Sequence, residues 1–236
     1  MYKAIVVTPV KDSLETTIET IKAVENSVCK VKHIVYNDFS SVVTKKALEK
    51  LSQNYNFELV NLEDITSHPS PNYKLVLQIA QGVAIEENLP LIIVESDVQI
   101  KTDTFEKMLS FEDRNKKIGL VGAVTVDDAN QVNFPYLKFK GERAPYLKTE
   151  RSLSFCCTLL KLEFLKSYSF LELSESKDWF DVFISRKSIE LGFENYILMN
   201  VPVLHQPHGS RPWKQLKYTN PLKYYFLKLI NRRDKI

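Results

Sequence analysis

The feature that most constrains this chain is the order of its first hundred residues, where short apolar runs alternate with stretches of helical periodicity. Ala4–Val10 is apolar and β-branched, and it ends at Pro9 and the polar Lys11-Asp12-Ser13. His33–Tyr36 is a second short run, halted by Asn37-Asp38-Phe39-Ser40; Phe57–Val60 is a third and Leu89–Val94 a fourth. Between them, Leu14–Val24 places Leu14, Ile18, Ile21 and Val24 on one helical face, with Asp12 or Ser13 as cap. A helix capped by Ser40 or Ser41 runs to Leu51 and is expected to turn Val43, Ala47 and Leu51 inward. After a Pro-rich loop at His68–Asn72, Tyr73–Glu87 reads as a helix with Leu75, Ile79 and Val83 inward and Leu77 beside them. Strands alternating with helices pack as a doubly wound, mostly parallel α/β sheet with helices on both faces. The wholly apolar Leu89–Val94 belongs at its centre. Ligands of such sheets sit beyond the carboxyl ends of the strands. Those ends here are Thr8-Pro9-Val10, Asn37-Asp38 and Glu95-Ser96-Asp97.

The second half is less regular. Phe105–Leu109 predicts a short helix, Ile118–Val126 and Leu153–Leu160 strands, Trp179–Leu191 a helix without one clean face, and Ile197–Leu204 a strand. Asp127–Arg151 has weak periodicity. A length of 236 residues with 44% hydrophobic and 26% charged content suits one globular domain that needs no disulfide or structural metal. The expected division is a domain over 1–210 and a tail over 211–236.

The longest apolar run, Leu89–Val94, is far short of a membrane span, and the first residues do not read as a targeting signal. Cys29, Cys156 and Cys157 have neither disulfide-framework nor zinc spacing, and the last two read as small buried strand residues. A reducing, cytoplasmic setting is the expectation. The tail from Arg211 carries eight basic residues against Asp234, so it is +7 and leaves −4 for the rest of a chain that is +3 overall. An acidic body argues against a nucleic-acid partner.

The chemistry concentrates at Glu95-Ser96-Asp97. Two carboxylates one residue apart, at the end of a central strand, suit a hard cation, Mn²⁺ or Mg²⁺, held together with a diphosphate. The segment resembles the acid-x-acid motif of family 2 glycosyltransferases, with Glu95 in place of the commoner Asp. Ala4–Val10 with Lys11 resembles that family's first strand and turn. Asn37-Asp38-Phe39-Ser40 resembles its Asp-Asp-Gly-Ser, with an amide for the first acid and Phe for Gly. Trp179-Phe180-Asp181, followed by Arg186-Lys187 and Gly192, resembles the segment that carries the catalytic acid. His205 in Leu204-His205-Gln206-Pro207-His208 resembles a histidine placed near the metal; His208 could take that part instead, and Arg211 could face phosphate oxygens.

The resemblance implies a single-domain GT-A fold, residues 1–100 forming the nucleotide-binding half and 101–210 the acceptor side. It implies metal-assisted transfer of a sugar, with inversion, from a UDP- or GDP-linked donor to a glycan or lipid-linked acceptor, as in the synthesis of a surface polysaccharide or glycolipid. Asp181 would be the catalytic base, with Asp178 its competitor. Thr8, Pro9, Val10, Asp38, Glu95 and Ser96 would contact the nucleotide, and Asp97 and His205 the metal. Two other readings fit the sequence less well. A sugar nucleotidyltransferase would carry a Gly-rich loop where Thr8–Asp12 has none. A catalytically inactive relative would not need Glu95, Asp97, Asp181 and His205 together. The tail interleaves aromatics and lysines, and as a helix it would put Leu222, Tyr225, Phe226 and Leu229 on one face. Such a helix either packs on the domain or lies on an anionic membrane surface.

Overall fold

The computed structural model describes residues 1–174, 179–206 and 220–230, the last four of these as backbone only. In chain order the elements are β1 (Ile5–Val10), α1 (Leu14–Glu25), β2 (Lys32–Asn37), α2 (Val42–Ser52), β3 (Glu58–Asn61), α3 (Tyr73–Glu86), β4 (Leu91–Val94), β5 (Val98–Gln99) and α4 (Thr104–Glu112). They continue with β6 (Ile118–Val126), β7 (Tyr146–Lys148), β8 (Cys157–Leu160), α5 (Leu162–Ser167), α6 (Phe180–Glu190), β9 (Glu194–His205) and α7 (Pro221–Ile230). The strands form one sheet in the order β3-β2-β1-β4-β8-β6-β9-β5, with β7 also pairing β9. Strands β3, β2, β1, β4, β6 and β9 run one way and β8, β5 and β7 against them, so the sheet is mostly parallel as the sequence predicts.

Strand alternation builds two cores at once. In β1, Ile5 and Val7 face the core that contains Val76, Leu77 and Ala80 of α3, while Val6, with Ala4 just before the strand, faces the core that contains Phe105 and Met108 of α4. Strand β4 divides the same way, Leu91 and Ile93 against Ile92 and Val94. A run apolar at every position is therefore buried on both faces, which makes β4 central.

Two helix faces differ from the sequence expectation. Helix α3 buries Val76, Leu77, Ala80, Gln81 and Ala84, whereas Leu75, Ile79 and Val83 stand at its flanks. The small Ala80 and Ala84 let the helix backbone approach the sheet, and the larger aliphatics cover the margins. Helix α2 buries Thr44 and Leu48 and leaves Val43 exposed. Strand β8 begins only at Cys157, so Leu153–Cys156 is a loop and not the start of a strand. In α7, Leu222, Tyr225 and Phe226 are all exposed. Among the described residues no helix is long and apolar enough to cross a membrane.

One ion pair lies inside this frame. Lys161 Nζ sits 3.3 Å from Glu112 Oε1 and donates to the Glu112 carbonyl at 3.2 Å, with both side chains under a tenth exposed. Burial pushes the Glu112 carboxyl above its ordinary range, and Lys161 only partly offsets this. Removing one partner strands a buried charge, which costs far more than the pair contributes as a whole. Lys161→Met is thus expected to lower unfolding stability in urea by about 3–5 kcal/mol, and Lys161→Met with Glu112→Leu to recover most of that loss.

Candidate functional site

After Val94 the chain does not continue as a strand. The Glu95 amide donates to the Cys156 carbonyl at 2.9 Å, and the Val98 amide closes a turn onto the Glu95 carbonyl at 3.2 Å. Strand β5 then runs antiparallel to the end of β9, pairing Val98 with His205 and Gln99 with Leu204. The Gln206 amide donates to the Asp97 carbonyl at 3.0 Å and closes the clasp. The two acids, which the sequence puts at the end of a central strand, are therefore set by a turn beyond it. The turn leaves Ser96 and Asp97 buried and Glu95 half-buried, and brings Asp97 Oδ2 to 3.5 Å from His205 Nε2.

The imidazole is held from behind. Its Nδ1 lies 2.7 Å from the Phe134 carbonyl, and Asn133 Nδ2 donates to the His205 carbonyl at 2.9 Å. A carbonyl only accepts, so Nδ1 carries a proton, and in the neutral ring the Nε2 lone pair faces the acids. Burial opposes protonation at Nε2, but the Asp97 and Glu95 carboxylates and the Phe134 carbonyl together raise His205 above its ordinary 6.5. A proton and a cation compete for the same nitrogen.

Cys156, which the sequence suggests is a strand residue, belongs to the site. It lies in the loop before β8, with Sγ donating to Glu95 Oε2 at 3.3 Å and 3.9 Å from His205 Nε2. Ser154 Oγ is 3.3 Å from the same sulfur. Burial, with the Glu95 carboxylate beside it, pushes the thiol well above its usual range, so it is a neutral donor. One ligand atom each from Glu95, Cys156 and His205 lie within 4.8 Å of one another. Two carboxylates and an imidazole with an available lone pair fit a divalent cation. The only signal for Cys156 in the sequence is its place at the start of a short apolar run.

The nucleotide-side candidates are arranged differently. The Thr8 and Val10 side chains are fully buried; Thr8 Oγ1 bonds His33 Nε2 at 3.0 Å, and Val10 packs with Ile21, Val35 and Leu48. Those side chains are thus turned into the core, and what the β1 end offers outward is its backbone and the half-buried Pro9. Asp38 is buried and accepts three hydrogen bonds: Oδ2 from Ser70 Oγ and the Asn72 amide, and Oδ1 from Asn72 Nδ2, each at 2.8 Å. It anchors the loop before α3. The β1 and β2 turns are latched together, since the Asp12 amide donates to Ser40 Oγ at 2.9 Å and the Ser41 amide to Asp12 Oδ1 at 2.7 Å. Ser41, the cap of α2, accepts from the Thr44 amide, and Lys11 Nζ donates to the Phe39 carbonyl. Asp12 and Ser13 do not cap α1 through their side chains.

Asp181 lies in the first turn of α6, half-buried, and its Oδ1 accepts from the Val182 amide at 2.8 Å. Helix α6 is fixed by a buried polar seam. Ser185 Oγ accepts from the Leu153 amide at 3.0 Å, Ser188 Oγ donates to Asn195 Oδ1 at 2.7 Å, and Asn195 Nδ2 donates to the Ser185 carbonyl at 2.8 Å. The helix thus leans on the loop that carries Cys156. Burial first, then Cys156 and Asp181, raise the Tyr136 phenol, whose oxygen accepts from the Ser154 amide at 3.0 Å. Asp178, His208 and Arg211 lie outside the described residues.

The curled, mostly parallel sheet with helices on both faces is the architecture of GT-A glycosyltransferases. The chain belongs to glycosyl transferase family 2, whose model matches residues 5–168. Among solved structures, it is similar to TarS 1–349 of S. aureus at 17% identity and TM-score 0.64, over 86% of this chain and 60% of that one. It is similar to the mannosyltransferase PcManGT of Pyrobaculum calidifontis, in complex with GDP-Man and Mn²⁺, at 15% identity and TM-score 0.64, over 98% of this chain and 65% of that one. It is also similar to GalNAc-T7 with UDP, GalNAc and Mn²⁺ at 13% identity and TM-score 0.61, over 87% of this chain and 44% of that one. The chain therefore spans less than two thirds of the length of these relatives. No match is found among curated proteins.

Phe39 stands where the family motif has Gly, and its φ of 53° is the left-handed conformation that glycine adopts freely. Its ring packs against the main core, which holds the strained backbone in place. Phe39→Gly and Phe39→Ala remove the same ring, but only glycine relieves the backbone. The glycine variant is expected to be the more stable of the two by about 1 kcal/mol in urea denaturation, and equal stabilities would show that the position is unstrained.

Proposed function

We propose that the chain is an inverting glycosyltransferase of the hexosyl class. It moves a sugar from a UDP- or GDP-linked donor to a hydroxyl of a glycan or lipid-linked acceptor, assisted by Mn²⁺ or Mg²⁺. The observation that carries the reading is the meeting of Glu95, Asp97 and His205 at the carboxyl edge of the sheet. The ligands of the solved relatives support the donor class: UDP and UDP-GlcNAc with TarS, and GDP-Man with PcManGT.

Residues 1–100 take the nucleotide and 101–210 shape the acceptor side. The nucleotide lies against Pro9, the backbone at Thr8 and Val10, and the loop that Asp38 anchors, with Glu95 or Ser96 near the ribose. Asp97 and His205 hold the cation. When bound, it supplies Lewis acidity to the departing diphosphate. Asp181 takes the proton of the acceptor hydroxyl as that oxygen attacks the anomeric carbon opposite the leaving group. One base and one displacement give inversion. The exposure of Leu222, Tyr225 and Phe226 on α7, within a tail of charge +7, supports contact with the inner face of a membrane, where a lipid-linked acceptor would be presented.

Calorimetric titration with UDP and GDP, with and without Mn²⁺, tests the binding half. Metal-dependent binding of one nucleotide, lost in Asp97→Ala, is expected; no binding under any condition overturns the reading. Asp181→Asn tests the chemistry: kcat should fall by about 10²–10⁴-fold with nucleotide affinity unchanged. A variant that keeps its kcat would move the base elsewhere.

A further inference from the structure

The cation site has a feature that a hard-metal centre does not need, a thiol among its carboxylates and imidazole. We propose that Cys156 makes this centre a site for a thiophilic divalent cation, Zn²⁺ above all, held by Cys156 Sγ, His205 Nε2 and a carboxylate of Glu95 or Asp97. The inference rests on the metal site proposed above and adds a selectivity to it.

The distances carry the argument. Bonds of about 2.3 Å to sulfur and 2.0–2.1 Å to nitrogen or oxygen, at tetrahedral angles, separate ligand atoms by roughly 3.3–3.6 Å. Here Cys156 Sγ is 3.3 Å from Glu95 Oε2 and 3.9 Å from His205 Nε2, and His205 Nε2 is 3.5 Å from Asp97 Oδ2. The first and last of these already lie in that range, and the Cys156–His205 pair is a few tenths of an ångström wider. The lone pair of Nε2 is aimed inward by the Phe134 carbonyl behind Nδ1. The sulfur is fixed through the backbone of its own residue, whose carbonyl accepts from the Glu95 amide at 2.9 Å. Thiolate and imidazole together favour Zn²⁺, whereas Mg²⁺ prefers an all-oxygen octahedron. Binding replaces the S–H bond by a metal–sulfur bond and releases one proton to solvent. Cys157 is the internal control. Its Sγ lies 3.8 Å from Met108 Sδ of α4, and Met108 is not a member of the cation-site cluster.

The test uses the full chain stripped of metal and titrated with Co²⁺ in an absorption spectrometer, then with Zn²⁺ in competition. The wild type and Cys157→Ala should develop a near-ultraviolet thiolate-to-cobalt charge-transfer band, and Cys156→Ser and Cys156→Ala should lack it. Zn²⁺ affinity should fall at least about tenfold in both Cys156 variants, while Mn²⁺ affinity, read from the free-ion electron paramagnetic resonance signal, changes less than about threefold. If Mn²⁺ binds but Co²⁺ gives no thiolate band in the wild type, the proposal is overturned and the metal site stands. If Mn²⁺, Co²⁺ and Zn²⁺ all fail to bind, both fall. The wild-type cobalt spectrum decides the matter even where a Cys156 variant does not fold, and circular dichroism identifies that case.

Discussion

The site depends on the pairing of a two-residue strand, β5, with the last turn of hydrogen bonding along β9. Buried carboxylates are costly unless other groups meet them, and this pairing is what sets Asp97 opposite His205. The aim of His205 is prepared upstream. Between β6 and β9 the register jumps from Ala123–Leu198 to Val124–Pro202, so Met199, Asn200 and Val201 are extra residues on one side. An odd insertion reverses which side chains face which layer. Before the bulge Leu198 belongs to the core on the α4 side of the sheet; after it Val201 and Val203 do. His205 continues that second phase and points to the layer that also holds Cys156 and Val98. Without the bulge the histidine would face the opposite side of the sheet, away from both acids. The Met199 and Asn200 amides, displaced from the ladder, both donate to the Pro145 carbonyl, so the irregularity leaves them satisfied.

The placement of α6 obeys a different constraint. Helix α6 has no continuous apolar stripe, and its buried residues are Phe180, Ile184, Ser185 and Ser188. What fixes it is the seam of Ser185, Ser188 and Asn195, together with the absence of a side chain at Gly119. A Cβ there would come within 2.3 Å of Ser188 Oγ and 2.7 Å of Phe193 Cβ. Hydrogen bonds are directional where apolar packing is not, so this seam fixes the rotation of α6 as well as its position. That rotation decides where Asp181, one turn from the seam, presents its carboxylate. Gly192, at a φ of 85°, then ends the helix and returns the chain to β9.

Much of this was legible in the sequence because it is carried by period. Most of the strands, the mostly parallel sheet and the centrality of β4 follow from apolar runs and the strand–helix alternation. Helix faces were legible only in part. The pattern at Leu75, Ile79 and Val83 marks a helix, but Ala80 and Ala84 choose the side that touches the sheet, and small residues weigh little in a hydrophobic periodicity. The acids and His205 stand out as polar residues at apolar strand ends. Cys156 does not, since a cysteine beside a cysteine in an apolar run reads as core. Its role arises from a contact with Glu95 across 61 residues of chain. Strand β5 is two residues long and has no period to read.

The two departures from the family motif at the end of β2 have local explanations that do not involve losing the site. Asn37 is fully buried and stands in register with Asn61 of β3. Its Nδ2 donates to Asn61 Oδ1 at 2.8 Å, and its Oδ1 accepts from the Ser40 amide at 3.3 Å. An ionised carboxylate could accept from Ser40 but has no donor for Asn61 Oδ1, so it would keep the contact only with the Asn61 amide turned to present Nδ2. The amide at 37 and the amide at 61 are thus one matched pair. Phe39 is the next residue but one, and its backbone carbonyl is the acceptor for Lys11. The left-handed turn there directs that carbonyl toward β1 while the ring covers the edge of the core. The strand end therefore keeps the turn that glycine would give, at some strain, and gains the packing of the Phe39 ring against the core, which a glycine lacks.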